Sequence, residues 1–212
     1  PLIYLMTVNS AVSDPQTGMT EIKGVFKSSS RESFEKAVAL SQQENIIRLE
    51  KPLKKVVVFL KEDKFKSTWI GAKAIYRTRM AVADDGELII IAPGIHKFGE
   101  DQEIDRLLRK YGYRGTEKTL EMLHNNPELE ENLSAAAHLI HGSSEGRFKI
   151  SLASPKLSRE EIENINFNYL DYKQTTAEYK IDELETGFNS VNGEEIFYID
   201  NPATGLWVYQ DK

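Results

Sequence analysis

The chain contains no cysteine. That excludes disulfides and thiolate-held metal, and it fits a cytoplasmic protein. Long apolar runs are missing as well. Nothing approaches the roughly 20 residues that a membrane-spanning helix needs, and no basic segment leads into an apolar one as a secretion signal would. Positive charge is in deficit, with a net charge of −6 over 212 residues, which argues against nucleic acid as the main partner. The phosphate-cradling motifs are absent too. No GxGxxG follows a strand with an acidic residue at the right distance, and there is no Walker loop. No GxSxG elbow marks an α/β-hydrolase.

What is present suffices for one compact core, since 40% of the residues are hydrophobic. There is no internal repeat, low-complexity tract or composition break, so residues 1–212 read as a single domain. The chain opens at Pro1 inside an apolar stretch and is read as part of something longer. Strands are expected over 2–12 and 22–26, with a turn at 13–18 between them. A helix over 31–43 carries Phe34, Ala37, Val38 and Leu40 on one face. Pro52 introduces the most strand-like segment, 56–60. Helices follow over 103–110, over 116–124, and from Pro127 to a stop at Gly142. A strand is expected over 147–153, and the capping-box pattern Ser158-Arg159-Glu160-Glu161 starts a short helix. Weak helix over 171–184, a strand over 195–199 and an edge strand or docked tail over 206–209 complete the chain. Such alternation predicts an α/β fold with a mostly parallel or mixed sheet and helices on both faces.

The chain is organised around residues 66–99. Ser67 or Thr68 can cap a helix, in which Trp69, Ala72, Tyr76 and Ala83 recur at helical spacing. Ile70, Lys73 and Arg77 form an adjacent stripe. Asp84-Asp85-Gly86 is expected to stop this helix, and 88–92 is an almost wholly apolar strand, as expected where both faces are covered. Pro93-Gly94 ends that strand, with His96 and Lys97 next. In open α/β sheets, ligands collect at the carboxyl ends of strands, so both polar clusters would lie on one edge. Lys73 and Arg77 beside a helix N-terminus could bind an anion, with Gly71 allowing close approach. The alternative is a solvated basic helix face. His96 is either a functional loop histidine or simply an exposed one. His138 and His141 have a spacing that can hold a metal. Their surroundings, Ala135 to Ala137 with Leu139 and Ile140, read instead as buried helix, and the glycine-rich residues 141–146 as a helix stop and packed turn at the amino edge of the sheet.

Ser67 to Ala74 (STWIGAKA), followed by Asp85 to Gly94 (DGELIIIAPG), resembles the C-terminal domain of the nickel-pincer-nucleotide-dependent lactate racemase superfamily. Residues 115–156, with AAAHLIHGSSEGRFKISLASP, resemble its sugar-acid epimerase branch. The resemblance implies two α/β domains with the active site in the cleft between them. The N-terminal catalytic domain of the same polypeptide would carry the nickel ligand, the cofactor lysine and the acid–base histidines. This chain would be the substrate- and cofactor-facing half, inactive and free of nickel on its own. Lys73 matches the family's helix lysine, and by the same resemblance it is the residue assigned to catalysis. The glutamine three residues earlier is Ile70 here, a departure that points from lactate toward a larger hydroxy acid such as a hexonate. Ser67, Trp69, Arg77 and His96 are the expected substrate contacts. Two other classes stay open: a non-catalytic α/β module binding a small anion, and a conventional nucleotide-binding domain.

Overall fold

The computed structural model describes residues 2–13, 17 and 19–209. The turn expected over 13–18 therefore lies, apart from Ser13 and Thr17, outside the described residues. The chain opens with strands β1 (Tyr4–Ser13) and β2 (Thr20–Ser28), which pair antiparallel as a sheet of their own. Helix α1 (Arg31–Asn45) packs on this hairpin. After the short β3 (Ile46–Arg48) comes β4 (Leu53–Phe59), in which Val56, Val57 and Val58 are fully buried. That run has no polar alternation because both faces of the strand are covered.

Two short helical pieces follow, α2 (Thr68–Gly71) and α3 (Lys73–Tyr76). They share a nearly continuous hydrogen-bond ladder, Ala72 N to Thr68 O at 2.7 Å and Tyr76 N to Ala72 O at 3.0 Å. The helix expected to run on to Ala83 ends there, and β5 (Val82–Ile91) has already begun. Asp84-Asp85-Gly86 is thus no helix stop but a bulge inside β5. Asp85 takes φ 61°, a left-handed value that aspartate tolerates better than most residues, and the pairing with β4 shifts between Leu53 and Lys55. A Cβ on Gly86 would meet the carbonyls of Ala83 and Lys54 at 2.9 Å. Arg147 holds the bulge: Nε donates to Asp84 at 2.7 Å and Nη2 to the Val82 carbonyl at 2.9 Å. Helical spacing misled here because Ala83, seven residues after Tyr76, falls on the same helical face although it lies inside β5.

Next come α4 (Gln102–Tyr111), α5 (Thr116–Asn125), α6 (Pro127–Glu130) and α7 (Leu133–His141). The single helix expected from Pro127 is two, because Asn132 caps a fresh start by accepting from Ala135 N at 3.1 Å. Then follow β6 (Lys149–Ala153), α8 (Arg159–Asn164), β7 (Asn168–Tyr169), α9 (Tyr172–Glu178), a 3-10 turn (Ile181–Glu183), β8 (Gly187–Val191), β9 (Glu194–Ile199) and β10 (Leu206–Val208). The capping box at Ser158 forms in both directions.

The main sheet has six strands in the order β7-β6-β5-β4-β9-β8. All neighbours are parallel except β8 and β9. Successive crossovers step from β4 through β5 and β6 to β7, and β9 then returns to the far side of β4. One face packs Val56, Val58, Leu88, Ile90 and Leu152 under the helices from α2 to α8, and the other packs Val57, Ile89 and Tyr198 under the α9 region. The fold is a single α/β layer structure with a mixed sheet. The last strand docks parallel to β3 as a two-stranded ribbon, tied down by Trp207 N donating to Arg77 O at 2.9 Å. Among the described residues, no helix is long and apolar enough to cross a membrane.

Candidate functional site

The loops after β4 and β5 leave the carboxyl edge of the sheet and zip together. Thr68 N donates to Lys97 O at 3.1 Å, Trp69 N to Phe98 O at 2.8 Å, and His96 N to Lys66 O at 3.1 Å. Ile70 N is capped by the Ser67 hydroxyl at 3.4 Å. The first amides of α2, which an anion would need, are therefore committed to protein oxygens. Ser67 is fully buried and its hydroxyl donates to Glu100. His96 is half-buried and donates from Nδ1 to Gly94 O at 3.0 Å. Arg77 gives its guanidinium to Gly205 O at 3.0 Å, bracing the tail. Gly71 sits where a Cβ would lie 2.8 Å from Ile95, so the close approach read from the sequence is between helix and loop.

Behind this zipper, Asp105 accepts from Phe98 N at 2.6 Å, Gly99 N at 3.0 Å and Arg109 Nε at 2.6 Å. Burial works to raise its carboxyl, but Arg109 and the two amides outweigh that and hold it below its ordinary value. The loop after β5 is thereby pinned to α4.

Trp69 lies on the face away from this zipper, against α7. Trp69, Lys73 and Tyr76 fall on one face by their spacing, and that face meets α7. The Trp69 ring lies 4.3 Å from the His138 ring, tilted by 33°, and Tyr76 meets His141 edge-on at 6.3 Å. With Ser134 and Ala137 these four rings line a groove of about 470 Å³. The small side chains of α7 let the rings come close. Lys73 is half-buried, and among the described residues its ammonium has no hydrogen-bond or ion-pair partner.

His138 is nearly buried, and burial together with the charge of His141 pushes its pKa down to about 4. Its Nε2 lies 3.1 Å from the Tyr113 hydroxyl, which lies 2.9 Å from the Thr68 hydroxyl, which donates to Phe98 O at 3.1 Å. Burial drives the Tyr113 phenol well above its ordinary pKa, so this chain is neutral at physiological pH. The residues 141–146 do form the helix stop and packed turn read from the sequence, with Glu145 accepting from Thr116 N at 2.9 Å and from Ser143. His138 and His141 themselves, together with Tyr76, belong to the groove, which sequence reasoning missed. The available signal was the histidine pair set among alanines on a helix. Its meeting with Trp69 across 69 positions of chain was not visible.

The site class is thus an aromatic, histidine-bearing groove beside the first crossover of a mostly parallel α/β sheet. No family model matches this chain, and no curated protein matches it in sequence. Among solved structures it is similar to a protein from Thermotoga maritima, with a TM-score of 0.73 and 21% identity over 98% of this chain and 49% of that one. It is also similar to the lactate racemase apoprotein from Thermoanaerobacterium thermosaccharolyticum, with a TM-score of 0.63 and 13% identity over 99% of this chain and 46% of that one. At these identities the likeness is one of fold. The chain spans about half the length of each of these structures.

Proposed function

We propose that this chain is the C-terminal, substrate- and cofactor-facing half of a nickel-pincer-dependent racemase or epimerase of the sugar-acid branch. The reaction would invert a hydroxyl-bearing carbon of a 2-hydroxy acid or sugar acid by hydride removal and return. The observation that carries this reading is the likeness of nearly the whole chain to about half of a lactate racemase. Lys73 is the residue assigned to the substrate carboxylate. Its ammonium has no partner among the described residues, and by helical spacing it lies beside Trp69 and Tyr76, which line the groove, so a fixed charge there would orient a bound anion. Trp69 would pack against the carbon skeleton. Ser67, Arg77 and His96 act one step back, shaping the loops and tail around the helix.

The pincer cofactor, when bound, supplies the hydride acceptor. The described residues do not fit it as metal ligands. No three His, Cys, Asp or Glu side chains converge, and His138 Nε2 is engaged with Tyr113. The ligands are assigned to the N-terminal catalytic domain. A non-catalytic module binding a small anion is the second reading, favoured by the same unpartnered lysine.

Nickel and cofactor content, with isomerase activity on lactate and hexonates, should be measured on the full-length gene product. Lys73→Ala is expected to lower kcat/KM by roughly 100-fold, or about 3 kcal/mol, with little change in stability. Lys73→Arg should recover part of it, because a planar guanidinium replaces a point charge. Lys97→Ala, which removes an ammonium that meets Glu100, should be nearly silent. Wild-type kinetics in Lys73→Ala would move the anion site elsewhere, and a nickel-free, inactive product would leave the binding-module reading.

A further inference from the structure

We infer that the outer face of the β1–β2 hairpin, on the side away from α1, is the surface on which the other half of the full-length polypeptide docks, setting apolar side chains against Leu5 and Val25 and a carboxylate against Lys27. The inference rests on the reading of this chain as one half of a longer protein, and it is independent of the nickel chemistry.

The register of the hairpin decides which side chains share that face. Val8 pairs with Gly24, and a Cβ on Gly24 would lie 2.6 Å from the Leu40 side chain of α1. That pair therefore faces the helix. Side chains alternate along a strand, so Leu5 and Thr7, opposite Lys27 and Val25, face away from it. Leu5 and Val25 are exposed, and so is Ile22, which pairs with Asn9 beyond a bulge. Most of the exposed large hydrophobic side chains among the described residues lie between Leu2 and Phe34, whereas Met80, Leu120, Leu133 and Phe188 stand on separate elements. Single apolar residues at a surface need no explanation, but a patch on one unit marks an interaction site. β1 and β2 pair with no other strand, and α1 covers one face of them. The other face has no second layer among the described residues.

The occupant follows from span and charge. Two solved structures share this fold over 98% and 99% of this chain, but over only 49% and 46% of their own length. Each therefore holds about as much chain again. Hydrophobic burial favours placing that chain where this half offers apolar surface without a second layer. A second copy fits less well. Lys27 is exposed on the same face and has no ion-pair partner among the described residues. A two-fold interface uses the same patch twice, so it would bring in a second Lys27 and, from this face, no acid to set against the first. A different surface can present a carboxylate, which offsets the cost of covering a lone ammonium. Residues 1–212 by themselves leave the face open, so truncations on it cost little in this half alone and become costly only with the other half present.

The test uses the full-length gene product with the photo-cross-linker p-benzoylphenylalanine in place of Val25 and, as a control, in place of Phe188 on β8. The Val25 position should cross-link within one polypeptide to residues outside 1–212, and the Phe188 position should not. Amide exchange supplies the second readout. Val25→Asp buries a charge in the docked face and should speed exchange of the β1 and β2 amides by about 10-fold or more. Lys27→Glu should act in the same direction by setting like charges together, whereas Phe188→Asp should leave hairpin exchange unchanged. Cross-links between two copies, rising with protein concentration, overturn the inference in favour of a dimer. Equal yields at the two positions, or no cross-link from Val25, overturn it as well. Unchanged exchange in Lys27→Glu overturns the assignment of a carboxylate. Cross-links from Val25 to the other half, in a product without nickel or isomerase activity, keep the docking surface and discard the functional reading. A gene encoding nothing beyond residues 1–212 discards both.

Discussion

The hairpin of β1 and β2 with α1 and the six-stranded sheet are built from similarly apolar sequence, yet they bury it very differently. Among the described residues of the hairpin unit, Val8 and Ala37 are the buried hydrophobic ones, while Leu5 at 70%, Val25 at 60% and Phe34 at 55% stay open to solvent. In the sheet, Val56, Val57, Val58, Leu88 and Ile91 show essentially no exposed surface. Two strands and one helix offer one layer contact, and the far face of the hairpin has none among the described residues. The sheet has helices on both sides. Apolar content becomes a core only where a second layer covers it.

The sharpest way to break this comparison is a pair of truncations. Leu88→Ala, in the double-covered strand, should cost about 3 kcal/mol in chemical denaturation, since a cavity adds to the lost transfer energy. If it costs under about 1 kcal/mol, the sheet is not the stability core. Titration probes the same core next to the groove. His138 ionises near 6.5 unfolded and at about 4 folded, so below about 6.5 the unfolded chain binds the extra proton. The His138 contribution is thus complete above that pH and is lost as pH falls through about 4, to a total of about 3 kcal/mol. The groups facing His138 are His141 on its own helix, Trp69 on the facing one, and Tyr113. His138→Phe should flatten the pH dependence of stability between those limits, and an unchanged slope would assign it to other groups.

A smaller effect is expected at the bulge of β5. Gly86→Ala sets a methyl against two backbone carbonyls that the β4–β5 pairing holds in place, which should cost about 2 kcal/mol. At the low end, Val25→Ala in the hairpin should change stability by less than about 0.5 kcal/mol. Amide exchange sharpens the contrast: the amides of β1 and β2 should exchange through local opening well before those of β4 and β5. Hairpin amides protected to the same level as the sheet would mean that the two regions unfold as one.

Much of the layer structure was legible because it is local. The Val-rich run of β4, the apolar 88–92, the Ser158 capping box and the spacing of the helices each declare themselves within a few residues. The errors have a common cause. Helical spacing through Ala83 and the Asp-Asp-Gly sequence satisfied a local rule, while the pairing of β5 with β4 and the clamp from Arg147, 63 residues beyond Asp84, decided the conformation. The break between α6 and α7 turned on whether Asn132 caps or continues. The edge strand β8, with its Gly187–Val191 alternation half exposed, carries too weak an apolar signal to stand out.

For the site, the sequence by itself determined that residues 67–77 form the crossover after the best strand and that Lys73 lies on a stripe adjacent to the one carrying Trp69 and Tyr76. Those facts follow from periodicity alone. It also determined that His138 and His141 lie on one side of a helix among small residues. Tertiary structure decided that these two faces meet, that the amides at the start of α2 close on the next loop instead of an anion, and that Arg77 braces the tail. It also lined up His138 Nε2, the Tyr113 and Thr68 hydroxyls and the Phe98 carbonyl. Hydrogen-bond partners and burial depend on which distant segments arrive at a given point, and no local pattern of residues encodes that arrival.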